Sequence, residues 1–247
     1  IDNYAGKHGG AIGNWEGNLT ISGDKLNKVI FTNNSTASVA DGGAIFNSDT
    51  LTIDYAEFIN NHANNEGSYG GAISNGGELN IDNTLFDGNT ANIAGALFDY
   101  LDSSGGVSVN GMIQNTVFKN NSASEIGAVG LFTKMANSVI NNAKFENNFT
   151  TFNNASAYEN SCAGGGALFL GSESMVTVNN TTFNGNTTTL EGGAISTRNT
   201  AQNNVGERLS IIKSTFTNNK AGVLNNGTAS NLATDHGLRS EEHTSEL

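Results

Sequence analysis

Seven times along this chain a phenylalanine is followed three residues later by an asparagine: Phe31…Asn34, Phe58…Asn61, Phe86…Asn89, Phe118…Asn121, Phe145…Asn148, Phe183…Asn186 and Phe216…Asn219. Five residues before each Phe stands an aliphatic residue: Leu26, Ile53, Ile81, Ile113, Ile140, Val178 and Ile211. A glycine box alternates with these units. It reads GGAI from Gly9, Gly42, Gly70 and Gly192, and GGAL from Gly165. It decays to AGAL, IGAV and AGVL from Ala94, Ile126 and Ala221. Aligned on their second residue, the eight boxes stand 24 to 39 residues apart. A unit of this length, repeated this often, is the signature of a solenoid or a propeller.

The local pattern chooses between them. Leu51-x-Ile53, Leu79-x-Ile81, Val107-x-Val109 and Val176-x-Val178 alternate with the period of two that half-buried strands show. A helical repeat would hardly tolerate Gly-Gly in most of its units. Asn60-Asn61, Gly88-Asn89, Asn120-Asn121 and Gly185-Asn186 are turn chemistry, because both residue types accept left-handed backbone. Each repeat therefore reads as two or three short strands separated by bends, one coil of an all-β parallel β-helix. Such a single-stranded β-solenoid would have about seven or eight coils, and the usual chirality of parallel crossovers predicts that it is right-handed.

Coils stacked at the ordinary strand spacing of ~4.8 Å place equivalent residues in columns. The Phe column is then an interior aromatic stack with offset or edge contacts. The Asn column sits at a bend and hydrogen-bonds along the rod, as amide ladders do in cross-β structure. The box aliphatics Ile12, Ile45, Ile73, Leu97, Val129, Leu168, Ile195 and Leu224 fill the rest. The box glycines allow close backbone approach.

Composition agrees with a thin core wrapped by many turns. There are 31 glycines, no proline, about one asparagine in six residues, and only 36% hydrophobic residues. A formal charge of −12 excludes a basic nucleic-acid footprint. No apolar run approaches the ~20 residues of a membrane-spanning helix. Cys162 is the single cysteine and forms no internal disulfide. Residues 1–237 read as one repeat domain, a fragment open at both ends. Residues 238–247, ending in RSEEHTSEL from Arg239, read as a translated sequencing adapter rather than native chain. Without those last nine residues the formal charge is −10.

The pairing of GGAI with FxxN resembles the repeats of chlamydial polymorphic outer membrane proteins, which are autotransporter passengers. It is similar also to adhesin-like surface proteins of methanogenic archaea, with repeats of the form GGAIxN…LTIxxxxFxxN. The resemblance covers Ile1 to about Gly237. It implies a right-handed β-helix on an exported protein at the cell surface, attached to the outer membrane if bacterial. It implies adhesion as the role, with host or neighbouring cells, glycans or surface proteins as partners and the passenger itself monomeric. The family repeat is structural, so it carries over no catalytic, metal or cofactor residues. The decayed boxes at Ala94, Ile126 and Ala221 depart from the pattern.

Parallel β-helices also host polysaccharide lyases and hydrolases, so an enzyme acting on acidic polysaccharide is the rival reading. Such a site needs clustered carboxylates with a Lys or Arg nearby. Asp54 and Asp82 occupy equivalent places one coil apart, where they could share a cation or simply face solvent. Asp99 and Asp102 form a weaker pair. His8, His62 and His236 are too scattered for a metal site, and no calcium-roll or phosphate-loop signature is present. Three stretches break the period, 99–112, 149–164 and 197–208, and in repeat proteins such insertions are often the binding face. Sequons at Asn18, Asn33, Asn120, Asn148, Asn179 and Asn226 follow from a composition rich in Asn, Ser and Thr.

Overall fold

The computed structural model describes residues 1–37, 39–100, 111–132, 137–152, 164–171, 174–197 and 208–223. Among them every regular element is a β-strand, and the strands form four parallel sheets of seven strands each. One coil shows the plan. His62–Ala63 belongs to the first sheet, Ile73–Asn75 to the second, Leu79–Asp82 to the third and Leu85–Asp87 to the fourth. The next coil repeats the order from Thr90–Ala91, and seven turns of this path make a parallel β-helix.

Each coil therefore has four strands, not two or three. The extra corners come from left-handed residues that interrupt what reads in sequence as one extended segment. One set of these precedes the ladder asparagines: Asn33, Asn60, Gly88, Asn120, Asn147, Gly185 and Asn218 have φ between 53° and 68°. A second set, Tyr55, Asn83, Asn115, Asn142, Asn180 and Lys213, has φ of 46° to 52° and separates the third sheet from the fourth. Asparagine recurs at both corners because its side chain tolerates this region better than most.

Strict register turns repeats into columns. Phe31, Phe58, Phe86, Phe118, Phe145, Phe183 and Phe216 pair in that order through the fourth sheet. Their rings lie nearly parallel, 3° to 11° apart, with centroids 4.8 to 4.9 Å apart. That separation exceeds the ~3.5 Å of carbon–carbon contact, so the rings are slid past one another. Edge contacts do not occur in this column, because parallel strands of equal rotamer hold every ring in one orientation.

The aliphatic column runs Ile21, Ile53, Ile81, Ile113, Ile140, Val178, Ile211. In the first coil its member is Ile21 and not Leu26, which is 90% exposed. The Asp24 carboxylate there accepts the N–H groups of Leu26 and Asn27 at 2.7 and 2.8 Å, folding an added turn that pushes Leu26 into solvent. The box aliphatics from Ile12 to Ile195 pair through the second sheet and close the core, and Leu224 lies outside the described residues.

The box glycines are fixed by two separate needs. The first glycine of the box is left-handed, with φ of 66° to 68° at Gly9, Gly42, Gly70, Gly165 and Gly192. The second lies against the next coil. A Cβ on Gly71 would stand 2.0 Å from the Gly95 carbonyl oxygen, and one on Gly43 2.1 Å from that of Gly71. No side chain fits there without separating the coils.

Candidate functional site

The longest polar feature is the buried asparagine ladder. Asn61, Asn89, Asn121, Asn148 and Asn186 each make three kinds of bond. Asn61 Nδ2 donates to Asn89 Oδ1 at 2.9 Å and to the Phe31 carbonyl at 3.0 Å, while its backbone N–H also donates to Asn89 Oδ1 at 3.0 Å. Asn34, Asn89, Asn121, Asn148 and Asn186 donate their side-chain and backbone N–H groups to the next member in the same way, ending at Asn219. The ladder starts one coil earlier than the FxxN motif, at Asn3, whose Nδ2 donates to Asn34 Oδ1 at 2.8 Å. Because Asn148 is fully buried in this row, its sequon is closed to modification in the folded chain.

Asp54 and Asp82 are register partners in the third sheet, so sequence equivalence does bring them together. Both oxygens of Asp82 and one of Asp54 are already engaged. Asp82 Oδ1 accepts Asn115 Nδ2 at 2.7 Å and the Asn83 N–H at 2.8 Å, and its Oδ2 accepts Gln114 Nε2 at 2.8 Å. Asp54 Oδ1 accepts Asn83 Nδ2 at 3.0 Å. Two carboxylates at the acceptor end of an amide row serve the fold, because each amide donates backwards and an acid terminates the row without a leftover donor. Among the described residues the ion pairs are Lys28–Glu57, Lys119–Asp87 and His8–Asp41, none of which involves this pair. Nor does any group of three or more His, Cys, Asp or Glu side chains gather there in metal-binding geometry.

A second amide row, not read as a column from sequence, runs through the second sheet. Asn14 Nδ2 donates to Asn47 Oδ1 at 2.7 Å, Asn47 to Asn75 at 2.7 Å, and Asn75 to Asp99 Oδ1 at 2.8 Å. The same amides bond the chain just beyond, as Asn75 does to the Gly77 carbonyl at 2.7 Å. The signal was the Asn two places after the first three GGAI boxes, at positions 14, 47 and 75, where the fourth has Thr197. Asp99 is 3% exposed, and burial pushes its carboxyl up to about 7 against the opposing hydrogen bond from Asn75.

The same sheet carries aromatics outside the main core. In the row Gly13, Phe46, Ser74, Phe98, Gly130, Phe169, Ser196 large and small residues alternate coil by coil. Phe98 and Phe169 pack with Ala94 and Ile126 into a separate buried cluster flanked by Tyr69 and Tyr100. Phe46 meets Trp15 at 4.6 Å and His8 at 4.8 Å between ring centroids, and Trp15 remains 62% exposed. His62 stands apart from His8, with Nδ1 2.9 Å from Thr90 Oγ1, and burial lowers its pKa. The greater parts of the three insertions, with Asp102, Cys162 and His236, lie outside the described residues, as does the tail 238–247.

Fold and columns together define a parallel β-helix solenoid whose repeat is a packing rule. The Chlamydia polymorphic membrane protein repeat matches the chain at residues 28–48 and 180–198. Each match holds one FxxN, Phe31–Asn34 or Phe183–Asn186, and the GGAI box after it. At these two places the chain is similar to that repeat, and the coils between them share the same register. No curated protein matches the chain significantly, and neither does any solved structure.

Proposed function

We propose that this domain is a non-enzymatic stalk or passenger region displayed at a cell surface, where it serves adhesion. The observation that carries the reading is the match of the polymorphic membrane protein repeat to coils that stack without interruption of register. A rod of seven coils is on the order of 30 Å long. It offers flat faces on which weak contacts to glycans or surface proteins of a neighbouring cell repeat at coil spacing and act together. Cell-surface placement rests on the family's nature as membrane proteins.

The rival reading, a lyase or hydrolase, needs a carboxylate free to exchange a proton beside a basic group. Asp54 and Asp82 instead terminate amide rows. The test is retention of the purified domain on cells or immobilised glycans, scored beside an assay for unsaturated sugar products. Retention without product supports adhesion. Depolymerisation of an acidic polysaccharide overturns it.

A further inference from the structure

The column in the second sheet changes chemistry midway. Its register runs Asn14, Asn47, Asn75, Asp99, then Leu131, Leu170 and Thr197. Asp99 is the junction. One oxygen accepts the last amide of the row. The next rung along the rod is Leu131, a side chain with nothing to donate. The carboxyl also borders a small cavity lined by Leu79, Gly111, Ile113, Leu131 and Ser138.

Among the described residues the side chains that line Asp99 are uncharged. Asn75 faces it from the strand on one side and Leu131 from the strand on the other. Leu79 comes from Leu79–Asp82, Gly111 and Ile113 from Gly111–Gln114, and Ser138, Val139 and Ile140 from Asn137–Asn141. Among the described residues no cation or second acid acts on it; burial and the Asn75 amide are the influences present. A charged carboxylate in such a setting lacks the compensation that buried ions require.

We propose that Asp99 is a proton-gated lock at the middle of the rod. Protonated, the neutral carboxyl ends the amide row and sits at the apolar junction at far lower cost than the charged form. Ionised, it leaves an uncompensated charge between Asn75 and Leu131 and loosens the coils joined by Leu97–Tyr100 and Val129–Phe132. The sign follows from proton counting. The folded chain holds this proton up to a higher pH than the unfolded chain, so stability is greatest in acid and falls as pH rises from about 4 to about 7. Above that window the loss is complete and flat.

The direct test is the carbon-13 chemical shift of the Asp99 carboxyl, followed by NMR as a function of pH in the whole chain. A midpoint close to 7 is the expected result, and a midpoint close to the ordinary 3.8 overturns the proposal. The consequence is read by amide hydrogen exchange across Leu97–Tyr100 and Val129–Phe132, corrected for intrinsic rates. Between about pH 5 and about pH 8 the local opening equilibrium should rise about 100-fold in the wild type and stay level in Asp99→Asn, which keeps a neutral polar terminus. An equal rise in both proteins refutes the lock. Should Asp99→Asn fail to fold, the carboxyl titration alone decides.

Discussion

Gly71 and Asn89 show how single residues hold the coils at their spacing. Gly71→Ala places a methyl 2.0 Å from the Gly95 carbonyl oxygen, a backbone atom that cannot swing aside. Overpacking of this kind typically costs about 1–3 kcal/mol. Gly6→Ala, where nothing lies within 4 Å, should leave the urea midpoint unchanged and serves as the control. Asn89→Ala removes the acceptor of the Asn61 amide groups and the donor to the Phe58 carbonyl, all buried. Each orphaned group costs about 1–3 kcal/mol, so loss of this one side chain should rival the cost of Phe86→Ala, about 3–5 kcal/mol. Equilibrium urea unfolding ranks the two variants, and a near-neutral Asn89→Ala would contradict a stabilising ladder.

At the scale of elements, the direction of the amide rows explains where the acids sit. Carboxylates only accept, so they stand where a row needs an acceptor and has no further use for a donor. Asp82 and Asp54 occupy such ends as carboxylates, and Asp99 closes its own row through one oxygen that accepts the Asn75 amide. Asp87 does the same for Asn120 on the surface at 2.9 Å. Because amides already occupy Asp54 and Asp82, millimolar calcium should not raise the thermal midpoint of the wild type relative to Asp82→Asn. A calcium-dependent rise lost in that variant would restore the shared-cation reading.

The left-handed corners belong to this scale too. Asn120→Gly should be tolerated at φ 56°, whereas Asn120→Val should cost a few kcal/mol, since a β-branched side chain clashes there. Thermal unfolding of the two variants separates the backbone requirement from the bond to Asp87, which both lose.

For the whole molecule, the coil path was legible because the FxxN spacing never varies, and residues at constant spacing must superpose once the coils stack. Strand number was not legible, because Asn83 and its counterparts look like ordinary loop residues until their φ is known. Leu26 misled because counting back a fixed distance from Phe31 ignores the turn that Asp24 folds; the Leu19-x-Ile21 alternation was the better guide. The Asn14–Asp99 row hid for another reason. Its last member is an acid, so identity does not repeat although hydrogen-bond role does. The outer aromatics alternate with Gly and Ser over two coils, a period invisible to a one-coil alignment.

The central claim is that one repeat makes one coil in fixed register, and cysteine pairs test it most directly. In a Cys162→Ser background, Thr52→Cys with Asn80→Cys joins direct partners on the third sheet, about 4.8 Å apart. Thr52→Cys with Met112→Cys spans two coils, about 9.6 Å, beyond the reach of a disulfide. Under mild oxidation the first pair should close a disulfide in the folded chain and the second should stay reduced. A disulfide in the second pair, or none in the first, would contradict the register that aligns the Phe and Asn columns.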